Sequence, residues 1–342
     1  MRAIILVGGE GTRLRPLTLG LPKAVVPVVN RPMMFYILDW LKLHGVKEAV
    51  LSACYKPDKL KKTIGNNYRG IKVSYTYEAE PLGTGGAVKR SEKFIKGTTV
   101  VMNGDVLTDL DLSGMLKFHR LRKSRMTLAL TPVENPSAYG VVETKKDGAI
   151  IRFLEKPSLD EISGKETNIN AGVYLVEPGV LGMLESDRVC SLEREIFPRL
   201  TGAGFYGYIE KNIYWMDLGT TEKYMQTNKD LLSGVFKAPV PLKSCLRKGV
   251  RLAKTVNLGY NISIGNGTKI GEFTVLGKNC SIGKNCVIER SIIWDGVLIG
   301  DNCFIADCIL ANDSKIGHNT TLTGGAVLGP MTVITPFSRI KR

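Results

Sequence analysis

Histidine is nearly absent from this chain. Its 342 residues include three, His44, His119 and His318, so a Ser–His nucleophile has little to be built from. The seven cysteines (54, 190, 245, 280, 286, 303 and 308) are odd in number and form no C-x-x-C pair, so neither a zinc site nor a disulfide framework follows. No apolar run reaches the roughly 18 residues of a membrane span. The first residues carry no signal-peptide pattern, and a cytoplasmic setting is expected. Acidic residues are also short, 32 against 47 Lys and Arg, which leaves a formal net charge of +15. A few site residues would serve an anionic substrate, so most of this excess needs another cause. The basic runs KPDKLKK (56–62) and KFHRLRKSR (117–125) read as solvated helix faces. They lack the regular aromatic interleaving of a single-strand nucleic-acid surface, so no nucleic-acid partner is expected.

What is present begins at once. AIILVGGEGTRLRPLT (3–18) is an apolar strand running into glycines and then basic residues. Such a turn cradles a phosphate with backbone N–H groups. It is not a Walker A loop, and Leu14 stands where a Rossmann fingerprint needs its third glycine. Some other anion grip is implied, with Arg13, Arg15 and Lys23 close by.

The chain has two rhythms. Up to about residue 235, strand candidates 3–7, 48–53, 71–77, 98–103 and 126–133 alternate with helix candidates 31–45, 56–65, 85–95 and 112–123. This predicts an α/β domain with a doubly wound, mostly parallel sheet, its ligands beyond the carboxyl ends of the strands. The glycine loop and the turn Asn103-Gly104-Asp105 fall there. In the second half, Leu258-Gly259, Ile264-Gly265, Ile270-Gly271, Leu276-Gly277 and Ile282-Gly283 recur every six residues. The period slips near Trp294 and resumes at Ile299-Gly300. Hexapeptides of this kind build a parallel β-helix. The expected limits are 1–235 for the first domain, 236–245 for a linker and 246–342 for the β-helix.

The motifs, in order, resemble those of the sugar-phosphate nucleotidyltransferases. GGEGTRLRPLT is followed by LPKAVVPV, EPLGTGGAV (80–88), NGD (103–105), YGVVE (139–143), FLEKP (153–157), NAGVYL (170–175) and WMDLG (215–219). SLEREIFPRL (191–200) and the 291–310 pattern lean towards the catalytic-type GDP-mannose pyrophosphorylases. The Gly85-Gly86-Ala87 segment departs from them and is shared with other manno-sugar guanylyltransferases and with uridylyl and thymidylyl enzymes. The resemblance implies a left-handed β-helix behind the catalytic domain. It also implies transfer of a nucleotidyl group from a nucleoside triphosphate, GTP in the favoured reading, to a sugar 1-phosphate.

The same resemblance assigns roles. Asp105 and Asp217 are expected to hold Mg²⁺. Gly8, Gly9, Gly11, Thr12 and Gly104 are expected to offer backbone to the nucleotide, while Arg13 and Lys23 neutralise the pyrophosphate. Glu80 and Gly85 are expected to read the base. Lys156 would grip the sugar phosphate, and Gly140, Glu155 and Asn170 would meet the sugar. Two alternatives stay open: a glucose-1-phosphate uridylyl- or thymidylyltransferase, and a non-catalytic regulatory subunit on the same fold. The open end of the β-helix is expected to carry a homo-oligomeric interface. Cutting the chain near residue 240 is expected to leave some turnover.

Overall fold

The computed structural model describes all residues except 134, 163–166, 187, 239–252 and 342. Most of the expected linker, 239–245, therefore lies outside the described residues. Phe236, at its start, is buried, and its N–H closes onto Asp230 O at 3.2 Å. The chain divides into two compact units, Met1–Gly9 with Ile37–Asp217, and Glu10–Tyr36 with Leu218–Arg342. Among the described residues no helix is long and apolar enough to cross a membrane.

The first unit is built on a ten-stranded sheet. Its elements are β1 (Arg2–Leu6), α1 (Met33–Leu43), β2 (Glu48–Ala53), α2 (Pro57–Ile64), β3 (Ile71–Tyr77), α3 (Gly83–Arg90), β4 (Thr99–Asn103), β5 (Val106–Thr108) and α4 (Leu112–Leu121). There follow β6 (Met126–Pro132), β7 (Gly140–Thr144), β8 (Ile150–Glu155), β9 (Asn168–Val176), β10 (Phe205–Ile209) and β11 (Trp215–Asp217). β1 is central and pairs in parallel with β2 and β4, and β2 pairs in parallel with β3. β1, β2 and β4 are largely buried apolar runs, as strands covered on both faces must be, whereas β3, IKVSYTY, mixes buried and exposed positions. Ile4, Val50 and Val101 from them share one buried cluster with Leu128, Tyr174 and Phe197.

The other half of the sheet is mostly antiparallel, although β10 pairs in parallel with β6. β9 runs antiparallel to β4, β6 and β7, and β7 antiparallel to β8. The helix–strand alternation ends after residue 133, and without crossover helices the strands return directly as antiparallel neighbours. β11 forms a separate two-stranded antiparallel ribbon with β5.

In the second unit, α5 (Thr221–Ser233) precedes three parallel sheets of five short strands each. One coil advances by 18 residues between Ser263 and Ser281 but by 17 between Ser281 and Leu298. That shorter coil is the slip in the hexapeptide period. Glycine recurs because adjacent coils pass too close for a side chain: a Cβ on Gly300 would lie 2.6 Å from His318 N. Asparagines take the left-handed corners, with φ of 55° at Asn261, 59° at Asn279 and 55° at Asn285. Ile282, Ile288, Ile299, Ile305 and Leu322 stack inside. Cys280, Cys286 and Cys303 spend their thiols on carbonyls one coil further on, Trp294 O, Gly300 O and Gly317 O, at 3.0, 3.1 and 3.2 Å.

Ile305 is fully buried in this stack. Ile305→Ala should destabilise the β-helix by about 2–5 kcal/mol, read as a lower denaturation midpoint in urea.

Candidate active site

The parallel strands place their carboxyl ends along one edge of the sheet. Leu6 is level with Asn103, so the Gly8-Gly9 turn leaves the sheet beside Gly104-Asp105, and the Gly104 N–H donates to Leu6 O at 2.9 Å. Asp105 sits half-buried in the tight turn into β5. Asp217 on β11 is level with Val106 on β5, so the second expected carboxylate stands on the ribbon one residue along from the first. Among the described residues no cluster of three or more His, Cys, Asp or Glu could hold a metal. Two carboxylates at the mouth of the sheet are a donor set that fits Mg²⁺, which takes hard oxygen ligands and commonly relies on substrate oxygens for the rest.

Tyr139 joins this pair to the residues expected to meet the sugar phosphate. Its hydroxyl donates to Asp217 Oδ1 at 3.0 Å, its ring packs edge-on against Trp215 with centroids 5.4 Å apart, and its carbonyl accepts the Lys156 N–H at 3.1 Å. Lys156 has a positive φ of 50° and an exposed side chain whose Nζ lies 3.8 Å from Glu155 Oε1. Gly140 is level with Glu155, and a Cβ there would meet Phe153 at 2.6 Å and Glu155 Oε2 at 3.1 Å. Packing alone therefore demands glycine at 140. Asn170 lies where the register of β9 shifts against β6, and its Oδ1 accepts the Gly172 N–H at 3.0 Å. Its Nδ2 donates to Tyr174 OH at 2.9 Å, and Trp215 Nε1 donates to Ala171 O at 2.9 Å. The bulge thus turns Asn170 towards the tyrosine hydroxyl and ties β9 to the Asp217 ribbon.

The segment expected to read the base is held by a carboxylate that sequence reasoning missed. Glu78 is buried, accepting Ser52 Oγ at 2.9 Å and the Leu82 N–H at 3.0 Å, and Glu80 beyond it is exposed. The Gly85 N–H is committed to Cys190 O at 2.9 Å, and a Cβ on Gly85 would lie 2.8 Å from Cys190 Sγ. What Gly85 lends is therefore backbone shape. Glu193 is a further carboxylate not foreseen, accepting hydrogen bonds from Thr84 Oγ1 at 2.5 Å and Ser191 Oγ at 2.7 Å. No signal within the matched motifs marked Tyr139, Trp215 or Glu193 as partners of the others.

The rest of the glycine loop belongs to the second unit. Gly11 has φ 66°, and its carbonyl accepts Thr18 Oγ1 at 2.8 Å. Thr12 and Arg13 are exposed in the short turn Thr12–Leu14, and Lys23 opens the turn Lys23–Val25. Arg15 pairs with Glu10 at 3.0 Å on the surface.

The nucleotidyl transferase family model matches residues 2–234. The chain belongs to that family. A second family model, EIF2B subunit epsilon LbH domain, matches residues 243–340 and agrees with a left-handed β-helix. This nucleotidyltransferase-family chain is 38% identical over 245 residues to a mannose-1-phosphate guanylyltransferase of Mycobacterium tuberculosis, a match covering 69% of this chain and 66% of that one. It is 40% identical over 235 residues to a probable mannose-1-phosphate guanylyltransferase 2 of Arabidopsis thaliana, covering 66% of this chain and 63% of that one. The matches thus span just under two thirds of those relatives. A D-glycero-alpha-D-manno-heptose 1-phosphate guanylyltransferase of Aneurinibacillus thermoaerophilus is 37% identical over 233 residues, 68% of this chain and 98% of its own length. The crystal structure of HddC from Yersinia pseudotuberculosis, also solved in complex with GMP-PN, superposes with a TM-score of 0.58 at 28% identity, covering 67% of this chain and 98% of that one.

The electrostatics give one test. Burial, and then repulsion from Glu193, hold the Glu155 carboxyl above the usual glutamate range, with Lys156 opposing. The folded protein then binds this proton more tightly than the unfolded chain. Stability is lost as pH rises from the unfolded value through the folded one. Glu155→Gln removes that loss, so its melting temperature should exceed the parent's at pH 8 and match it near pH 4. A difference independent of pH would show that Glu155 does not carry the penalty.

Proposed function

We propose that the chain is a sugar-1-phosphate guanylyltransferase, and that its reaction joins GTP and mannose 1-phosphate to give GDP-mannose and pyrophosphate. The supporting observation is the register of β5 and β11, in which Asp217 is level with Val106, the residue after Asp105, in a chain whose relatives are named guanylyltransferases. Catalysis is assigned to residues 1–235 and the β-helix to 246–342.

A sugar-phosphate oxygen, already anionic near neutral pH because the second pKa of a phosphate monoester is about 6, attacks the α-phosphorus. The new P–O bond forms as the bond to the β-phosphate breaks, and pyrophosphate leaves with the electron pair. No proton need be abstracted, which suits a site without a histidine. Mg²⁺, when bound by Asp105 and Asp217, supplies charge neutralisation and alignment of the two polyanions. Tyr139 orients Asp217 through its hydrogen bond. Lys156 meets the sugar phosphate, and Glu155 and Asn170 accept and donate to sugar hydroxyls over Gly140. Glu80 and the Gly85 backbone face the guanine. Gly8, Gly9, Gly11, Thr12 and Gly104 line the nucleotide phosphates, with Arg13 and Lys23 on the departing pyrophosphate. Gly9 supports this role: a Cβ there meets nothing within 4 Å and its φ needs no glycine, so packing does not explain the residue, whereas close approach of a phosphate does.

A manno-heptose 1-phosphate is the second reading for the sugar, favoured by the match over 98% of the heptose enzyme's length. A panel of GTP, UTP and dTTP against mannose, manno-heptose and glucose 1-phosphates, followed by pyrophosphate release in Mg²⁺, decides the substrates. GTP with mannose 1-phosphate should turn over fastest. No release from any pair would favour the regulatory-subunit alternative. Asp105→Asn should lower kcat by roughly 10²–10³ with the fold intact, and an unchanged rate and Mg²⁺ dependence would remove it from the metal site.

A cytoplasmic setting and a homo-oligomer belong to the same proposal. The last coil exposes Met331, Val333 and Phe337 at 73, 66 and 70%, and its strands Val327–Leu328, Val333–Ile334 and Arg339–Lys341 end their sheets. A second copy would cover them with two-fold symmetry. Light scattering should find a dimer or a multiple of one, and Phe337→Asp should shift it towards monomer.

A further inference from the structure

The loop that carries Arg13 and Lys23, the cation loop, is clamped from behind by α5 and the β-helix. Strands Pro27–Val28 and Arg31–Pro32 pair antiparallel around Val29 and Asn30, whose φ values are 44° and 60°. A β-branched residue at positive φ is an outlier, and it persists only where its surroundings over-determine it. Here they do. Asn228 Oδ1 accepts the buried Val29 N–H at 2.7 Å, Tyr36 OH donates to Val28 O at 2.9 Å, and Tyr224 OH donates to Pro27 O. Asn30 Nδ2 donates to Asn257 Oδ1 at 2.9 Å and to Leu276 O at 2.8 Å, two adjacent strands of the first β-helix sheet. Behind Tyr224, Trp294 Nε1 donates to the same hydroxyl at 2.9 Å. Asn228, Tyr224, Asn257 and Trp294 are all at most 3% exposed.

The clamped turn adjoins Lys23. Met33 N–H closes on Val26 O and Val26 N–H on Lys23 O, each at 3.1 Å, so the backbone runs without slack from the turn to the lysine. The other end of the loop also rests on the β-helix: a Cβ on Gly329 would meet Pro16 at 3.1 Å, and one on Gly20 would meet Pro330 at 4.0 Å.

We infer that Asn257, Trp294, Tyr224 and Asn228 are positioning residues for triphosphate binding, acting through the strained 27–30 turn on Lys23. The inference rests on the reading of Lys23 as a triphosphate cation. None of the four touches substrate in this account. Each is a buried polar side chain that spends a hydrogen bond on the cation loop or on its anchor. The β-helix is then part of the catalytic apparatus, and removing it should abolish turnover as well as assembly. This replaces the expectation that a chain cut near residue 240 stays active.

The test is a double-mutant cycle in the full-length protein. Asn30→Ala and Asn257→Ala each remove one partner of the same hydrogen bond, and Asn30 is exposed, so at least that variant should fold. Calorimetric affinity for GTP with Mg²⁺, and kcat and KM for GTP and for mannose 1-phosphate, are the readouts. Each single variant should weaken GTP affinity and kcat/KM for GTP about tenfold, as small misplacements of a binding group do. The double variant should be no worse than Asn30→Ala alone, which already loses both bonds of the Asn30 amide, and the KM for mannose 1-phosphate should stay within twofold. Trp294→Phe, which keeps an aromatic ring and loses the N–H, should show a smaller loss of the same kind. Parent-like GTP parameters in folded single variants, equal losses on both substrates, or losses that multiply in the double variant would overturn the inference. Lys23→Ala separates the two levels. If it leaves GTP parameters unchanged, the assignment of Lys23 falls and this inference with it. If it weakens GTP tenfold or more while the asparagine variants do not, only the inference falls.

Discussion

The first unit depends on the parallel pairing of β1 with both β2 and β4. A strand with neighbours on both edges has every backbone group spent inside the sheet, and its side chains can be apolar on both faces. What it cannot do is satisfy the chain beyond its carboxyl end. There the backbone must turn, and the turns after β1, β3 and β4 bring Gly8, Glu80 and Asp105 to the same edge. The antiparallel half of the sheet then supplies what those turns lack. β9 carries Asn170 on its bulge, the β7–β8 pair carries Gly140, Glu155 and Lys156, and the β5–β11 ribbon brings Asp217 alongside. Tyr139 and Trp215 are the bolts between these pieces, each spending a polar hydrogen on a neighbour's oxygen.

Much of this was legible before the structure. Continuous apolar runs and helical spacing locate the parallel strands and the helices between them, because a central parallel strand and an amphipathic helix each impose a period on sequence. The hexapeptide Ile-Gly and Leu-Gly pairs are legible for a stricter reason, since adjacent coils leave no room for a Cβ at Gly283 or Gly300. The matched motifs point to Asp105, Asp217, Lys156 and Asn170 through type and order.

Other features have no local signature. The antiparallel return of 140–176 shows no strand pattern in sequence, because it lacks the intervening helices that make the first half readable. The partnership of Glu193 with Thr84 joins residues 109 apart, and the contact of Asn30 with Leu276 O joins residues 246 apart. Neither leaves a mark on its own neighbourhood in sequence. The positive φ of Val29 is less legible still, since a valine argues against it, and only the buried Asn228 and its companions make it tenable. The grouping of Glu10–Tyr36 with the β-helix follows from the same long-range bonds.

The thiols of Cys280, Cys286 and Cys303 are each hidden and each tied to the coil that follows. A reagent that alkylates sulfur can reach them only when neighbouring coils part. Burial also pushes the Cys280 thiol up to about 11, so little of it is thiolate even at mildly alkaline pH. The column is therefore a set of internal markers along the solenoid axis. The order in which the three become modified would trace from which end, or from which interior coil, the β-helix first comes apart.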